Sequence, residues 1–235
     1  MIEMILSFAL AVIPAILAIT LHEAAHGYAA WALGDDTAKK LGRLSLNPIV
    51  HVDRVGTILL PGFLLISQLL TLGRVGFMFG WAKPVPVAAW KFKSPRRGMM
   101  LVAAAGPAMN FLLAWLAAVA AFGLDYLPPI IADVGVEFIE DFILVNLVLG
   151  LFNLLPIPPL DGGRIIVGLL PEAVAVRWAK LERFGIVIVL LAVFLLPEAG
   201  RDFGFHFDPV HDGLEQVLPW AQRWILLLSG HGREG

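Results

Sequence analysis

The chain has no cysteine, so disulfide bonds, thiolate zinc sites and cysteine nucleophiles are excluded from the start. It is also poor in charge. Asp, Glu, Lys and Arg make up 15% of its 235 residues, where soluble domains carry about a quarter. With 17 basic and 19 acidic residues, neither sign dominates, and no nucleic-acid partner is expected. No internal repeat and no low-complexity tract interrupts the chain. What remains is apolar: 59% of the residues are hydrophobic and the mean hydropathy is +0.82. That composition predicts a multi-pass protein of the lipid bilayer, one domain over 1–235 with a core at 4–197 and a tail at 198–235.

The first apolar segment covers 4–33. No Lys or Arg precedes it, Glu3 is acidic, and the run continues to Trp31 and Leu33, so it reads as a retained helix and not a cleaved signal. Residues 99–123 and 136–155 are further spans, and 184–196 with part of what precedes it is another. The stretch 55–72 is apolar but interrupted by Gly56 and Pro61-Gly62. Residues 73–98 are mixed, and 164–183 is amphipathic and broken at Pro171. In the tail, Leu214, Val217, Leu218, Ala221, Trp224, Ile225 and Leu228 recur at helical spacing around Pro219, as suits a helix along the membrane interface. The expected fold is all-α, with about five spanning helices (four to six). A re-entrant or interfacial segment lies between the first spans, with room for a short β element at Trp81–Val87. Pro84 and Pro86 would make that element an edge, beside which a substrate segment could add as a strand.

His22-Glu23-Ala24-Ala25-His26 is an H-E-x-x-H motif on the first helix. Residues four apart share a helix face, so both imidazoles can bind one ion. Glu23 lies beside them, free to act as a base toward water. Two imidazoles and a carboxylate inside a span are costly, and such groups mark function by default. A tetrahedral catalytic centre needs a third protein ligand and an open position. Asp161 is the best candidate, in Asn153-Leu154-Leu155-Pro156-Ile157-Pro158-Pro159-Leu160-Asp161-Gly162-Gly163. Its prolines stop a helix and its glycines suit a tight turn. The other reading of Asp161 is a loop carboxylate that caps the next helix.

These motifs, with Ala105-Gly106-Pro107-Ala108-Met109-Asn110 at the start of the central helix, resemble the site-2 protease family of intramembrane zinc metalloproteases. The likeness covers 20–165. Leu46-Asn47-Pro48 through Asp53 and Gly80–Val87 look like the compact bacterial and archaeal branch, without the PDZ or CBS domain that many relatives carry. The resemblance implies one Zn2+ held by His22, His26 and Asp161, with Glu23 as catalytic base. It also implies that Asn153 helps hold the substrate backbone and that Asn110 lies near the site. The expected reaction is hydrolysis of a peptide bond in or beside a transmembrane segment of another membrane protein. The rival class is a non-hydrolytic metal binder, a zinc transporter or sensor, for which repeat symmetry and polar residues in several helices would be expected.

The metal ligands must share one depth. If the spans carrying His26 and Asp161 run in the same direction, with 99–123 between them, then 34–98 stays on one side. Lys and Arg then divide 14 to 3 across the membrane; if 55–72 crosses, they divide 7 to 10. The positive-inside rule favours the first arrangement, a multi-pass cell-membrane protein with its site toward the cytoplasm and its N-terminus outside. Lys91, Lys93, Arg96 and Arg97 then face lipid headgroups. His51 reads as structural, and His206 and His211 as part of a solvated loop.

Overall fold

A computed structural model describes residues 2–72 and 80–231. The start of the mixed stretch, 73–79, and the last four residues of the tail, 232–235, lie outside the described residues. In chain order the helices are α1 (Ile2–Ala32), α2 (Thr37–Lys40), α3 (Leu60–Leu72), α4 (Pro95–Ala121), α5 (Pro129–Asn153), α6 (Asp161–Leu169), α7 (Glu172–Ala179), α8 (Gly185–Leu190), α9 (Leu196–Asp202) and α10 (Pro209–Ser229). The all-α expectation holds among the described residues. No β-strand forms there: Trp81–Val87 is extended, but it pairs with loops and a side chain.

The organising helix is α4. Pro95 occupies its first turn, where a missing N–H costs nothing. Its buried residues include Gly98, Val102, Gly106, Asn110, Ala114 and Ala118, at intervals of four. Four residues overshoot a helical turn by about 40°, so this stripe winds around the helix. At its start it meets α1, where His26 bonds Val102. At its end Ala114 and Ala118 meet Ile143 and Leu147 of α5 and Ala221 and Ile225 of α10. Small side chains let the backbones come close. As position on α1 rises from His22 to His26, position on α4 falls from Asn110 to Val102, so the two helices are antiparallel. By the same reasoning α5 opposes α4 and runs with α1: Gly135 of α5 lies against Leu124, just past the end of α4, while Asn146 and Gly150 meet Asn110.

Two wide π-turns, Arg54–Leu59 and Leu191–Leu195, lead into α3 and α9. Pro61 and Pro197 stand just beyond them. A proline clashes with the carbonyl four residues earlier, and the wider turn relieves that clash without ending the helix. The break expected within 55–72 is thus a local widening. Gly34, with φ +103°, ends α1 in the left-handed conformation. α5 begins at Pro129, seven residues before the expected span at 136–155, and continues through it. Among the described residues, Pro95–Tyr126 is the helix that is long and apolar enough by itself to cross a membrane. The tail helix α10 uses its apolar stripe against α4 and α5.

Candidate metal centre

His22 is buried on the α1 face that also carries Leu10, Pro14 and Ala18, each a turn apart. His26 follows one turn later. The two rings meet edge to face, with centroids 4.6 Å apart and planes at 87°. α4 passes directly over them at Gly106, where any Cβ would strike both imidazoles. The His22 and His26 Nε2 atoms are 3.0 Å apart, and Asp161 Oδ2 lies 3.1 and 3.3 Å from them.

The far side of each ring decides what this triangle can bind. His26 Nδ1 is 2.7 Å from Val102 O, which can only accept, so Nδ1 carries the proton. His22 Nδ1 donates to Asn110 Oδ1 at 2.6 Å. Both Nε2 atoms therefore present lone pairs to each other and to Asp161 Oδ2, which is buried without a hydrogen-bond donor. Three unprotonated donor atoms this close repel one another unless a cation lies among them. Tetrahedral zinc, with bonds of about 2.0–2.2 Å, sets its ligand atoms about 3.3–3.5 Å apart. The donor types and their spacing fit that ion.

Asp161 arrives through the sharp end of α5. Asn153 closes that helix, the Pro-rich link carries the chain to the imidazoles, and α6 opens at Asp161. Leu160 holds the N-cap position with no side-chain bond, and the Asp161 carboxylate turns to the imidazoles; the capping alternative is not what forms. The role expected for the glycines needs correction. Gly162 and Gly163 are helical, with no positive φ. What they provide is space: a Cβ on Gly162 would strike the Leu154 and Leu155 carbonyls, and one on Gly163 would come 2.7 Å from Pro158 N. Their absent side chains let α6 sit tight against the link.

Glu23 also belongs to the cluster: His22, Glu23 and His26 bring potential ligand atoms within 4.8 Å of one another. Yet Glu23 Oε2 accepts the Val85 N–H at 3.0 Å, which turns the carboxylate toward the extended segment. That segment is fastened at further N–H groups, and Ala88 just beyond it is held as well. Trp81 donates to Gly56 O (3.1 Å), Lys83 to His51 O (2.8 Å) and Ala88 to Asp35 Oδ2 (2.6 Å). Burial pushes the Asp35 carboxyl up, but hydrogen bonds from Thr37 and Ala88 and the Lys91 ammonium outweigh it and hold it below the ordinary 3.8. The buried Arg43 guanidinium spans the carbonyls of Val50 and Lys83. His51 is buried, with Nε2 donating to Ser45 O at 2.8 Å, so it braces this loop.

Of the two asparagines singled out, Asn110 is fully buried against His22. The Asn153 amide donates to Leu149 O of its own helix at 2.9 Å and to none of the three converging residues. Asn146, Asp35 and Arg43 escaped the sequence reading. Asn146 carried a usable signal, a lone amide amid the apolar second half of α5. Asp35 and Arg43 sit in a charged loop where nothing marks them off. In the tail, His206 pairs with Asp212 at 2.8 Å and His211 with Glu215 at 2.9 Å, all exposed but for the half-buried Asp212.

Comparison with known proteins gives the family. The model for peptidase family M50 matches residues 130–196, which include α5, the Pro-rich link and α6. "Putative zinc metalloprotease YwhC" of Bacillus subtilis (strain 168) is 44% identical over 206 residues, 81% of this chain and 87% of the relative. "Putative zinc metalloprotease Rip2" of Mycobacterium tuberculosis (strain ATCC 25618 / H37Rv) is 32% identical over 216 residues, covering 92% and 72%. The Rip2 of Mycolicibacterium smegmatis (strain ATCC 700084 / mc(2)155) is 34% identical over 182 residues, covering 75% and 64%. No solved structure matches the chain. An identity of this extent over most of a relative's length shows common descent, and the chain belongs to peptidase family M50, the site-2 proteases, which are intramembrane zinc metalloproteases.

Proposed function

We propose that His22, His26 and Asp161 hold the zinc ion of this metalloprotease, that Glu23 is its general base, and that its substrates are membrane proteins cut in or beside a transmembrane segment. The observation that carries the assignment is the meeting of three lone-pair atoms at 3.0–3.3 Å with both outer ring nitrogens committed as donors. Bound zinc supplies Lewis acidity, which makes water nucleophilic near neutral pH and polarises a peptide carbonyl. Glu23 takes up a proton from water on its carboxylate and delivers it to the leaving amine. The Val85 N–H keeps that carboxylate aimed while the proton moves. Gly106 keeps α4 close to the imidazoles, and Asn153, at the end of α5, orients the substrate backbone.

The whole of 1–235 acts as one membrane domain. α1, α4, α5 and the helix from 185 to 202 cross the bilayer, and α10 packs beside α4 and α5 as a fifth membrane element. The shared direction of α1 and α5 supports this, because it puts His26 and Asp161 at one depth with a single crossing between them. The helix from 54 to 72 stays on the cytoplasmic side as a re-entrant or interfacial element. It has no charge over 55–72, and Ile58, Leu59, Phe63, Ile66 and Leu70 are exposed around it. The site then opens toward the cytoplasm, and an extended substrate segment lies beside the outward edge of 81–87.

The test pairs zinc analysis of the full-length protein and Asp161→Ala with a cleavage assay on a panel of single-span membrane proteins. One zinc per chain, lost with cleavage in the variant, is the expected result; a variant that keeps both ends the assignment. Since the chain has no native cysteine, single cysteines placed at 37–47 and at 124–127 report the topology. The first group should label from the cytoplasm and the second from outside.

A further inference from the structure

We infer that Asn146 is a positioning residue for zinc: through Asn110 it fixes the His22 tautomer that leaves Nε2 free to bind metal. The inference rests on the metal site proposed above and adds a residue to it. Asn146 and Asn110 are fully buried, on facing sides of α5 and α4. Asn146 donates its amide N–H to Phe142 O at 2.8 Å. A backbone carbonyl only accepts, so this bond settles which end of the Asn146 amide is nitrogen. The Asn146 oxygen then points the other way and accepts from Asn110 Nδ2 at 2.9 Å. That bond settles the Asn110 amide in turn, and its oxygen accepts the His22 Nδ1 proton at 2.6 Å. One fixed carbonyl on α5 thus determines the proton on an imidazole of α1.

Without Asn146 the Asn110 amide loses its main reason to keep this orientation. Its remaining acceptor, Ala18 O, is 3.5 Å away, at the limit of a hydrogen bond. An amide turned over presents its N–H to His22 Nδ1. His22 must then accept there, and its proton moves to Nε2, the atom that faces His26 and Asp161. A protonated nitrogen cannot bind metal. Partners that orient a ligating histidine typically contribute 10- to 100-fold to metal affinity, and a loss of about that size is expected here.

The test measures zinc affinity of the full-length protein in detergent by chelator competition. Asn146→Leu should weaken zinc binding about 10- to 100-fold. Asn146→Ser should do the same and keeps the fold, because its hydroxyl can bond Phe142 O but ends short of Asn110. The deciding variant is Asn110→Asp combined with Asn146→Leu. A carboxylate accepts through either oxygen, so Asp at 110 holds the Nδ1 proton on His22 whichever way it turns. Zinc affinity in the double variant should return to within about threefold of Asn110→Asp alone, as in other carboxylate–histidine–zinc arrangements. A purely structural role for Asn146 predicts no such rescue. Leu147→Ala, next door and equally buried, should lower thermal stability with zinc affinity held within about threefold of wild type, since it has no polar link to the rings. Unchanged affinity in Asn146→Ser, or a double variant no better than Asn146→Leu, would overturn the inference and leave the metal site standing. A wild-type protein that binds no zinc would remove the site itself.

Discussion

Among the described residues, histidines pair with carboxylates in two places, at nearly the same distances, and one of the two arrangements fits a metal ion. In the helical core, His22 and His26 approach Asp161 at 3.1 and 3.3 Å; in the tail, His206 approaches Asp212 at 2.8 Å and His211 approaches Glu215 at 2.9 Å. The difference lies behind the rings. In the core each Nδ1 is committed to an acceptor, and both Nε2 atoms converge on one buried oxygen. In the tail each ring has its own carboxylate and open solvent around it. A metal site is therefore made by holding the outer nitrogens and excluding water, not by residue type and distance alone.

That contrast can be broken from the core outward. His22→Ala or Asp161→Ala should bring zinc from one per chain to near none and take cleavage below detection, by metal analysis and substrate assay. Glu23→Gln should keep the zinc and lower cleavage about 10²–10⁴-fold; full activity would remove Glu23 from its role. Gly106→Ala pushes a methyl group into both imidazoles. It should lower stability by about 1–3 kcal/mol in thermal unfolding, with weaker zinc binding alongside. At the small end, His206→Ala with His211→Ala should leave zinc content and cleavage as they are and shift stability by no more than about 0.5 kcal/mol.

The tail also offers a pH measurement. Asp212, by hydrogen bond and charge, raises the His206 pKa above the ordinary 6.5. The stabilisation from that pair is full below 6.5 and fades as pH rises through the raised value. A histidine titration followed by NMR should show Asp212→Asn bringing His206 back toward 6.5. A variant that titrates like wild type would argue against the pair in solution.

Much of the site could be read before folding. His22-Glu23-x-x-His26 is local, and helical periodicity alone puts both rings on one face. Asp161 could be read too, because its prolines and glycines are unusual at the end of an apolar helix. The purpose of Gly162 and Gly163 could not, since close approach to the Leu154 and Leu155 carbonyls exists only once α6 packs back on the link. The start of α5 at Pro129 could not be read from the apolar run at 136–155, because hydropathy marks what a bilayer can hold and not where a helix begins. The absence of a strand at 81–87 was hidden as well. Its Trp81, Lys83 and Val85 N–H groups are satisfied by Gly56, His51 and Glu23, partners up to 62 positions away in sequence.

Composition and periodicity were thus enough to determine a helical membrane protein with an imidazole pair and a nearby acid, because those features depend on residues within a few turns of one another. Folding decided which nitrogen of each ring faces Asp161, where the Glu23 carboxylate points, and that an amide on α5 connects through Asn110 to an imidazole on α1. These depend on groups that meet only when α1, α4 and α5 pack, at distances where a proton or a lone pair on one atom dictates the state of the next.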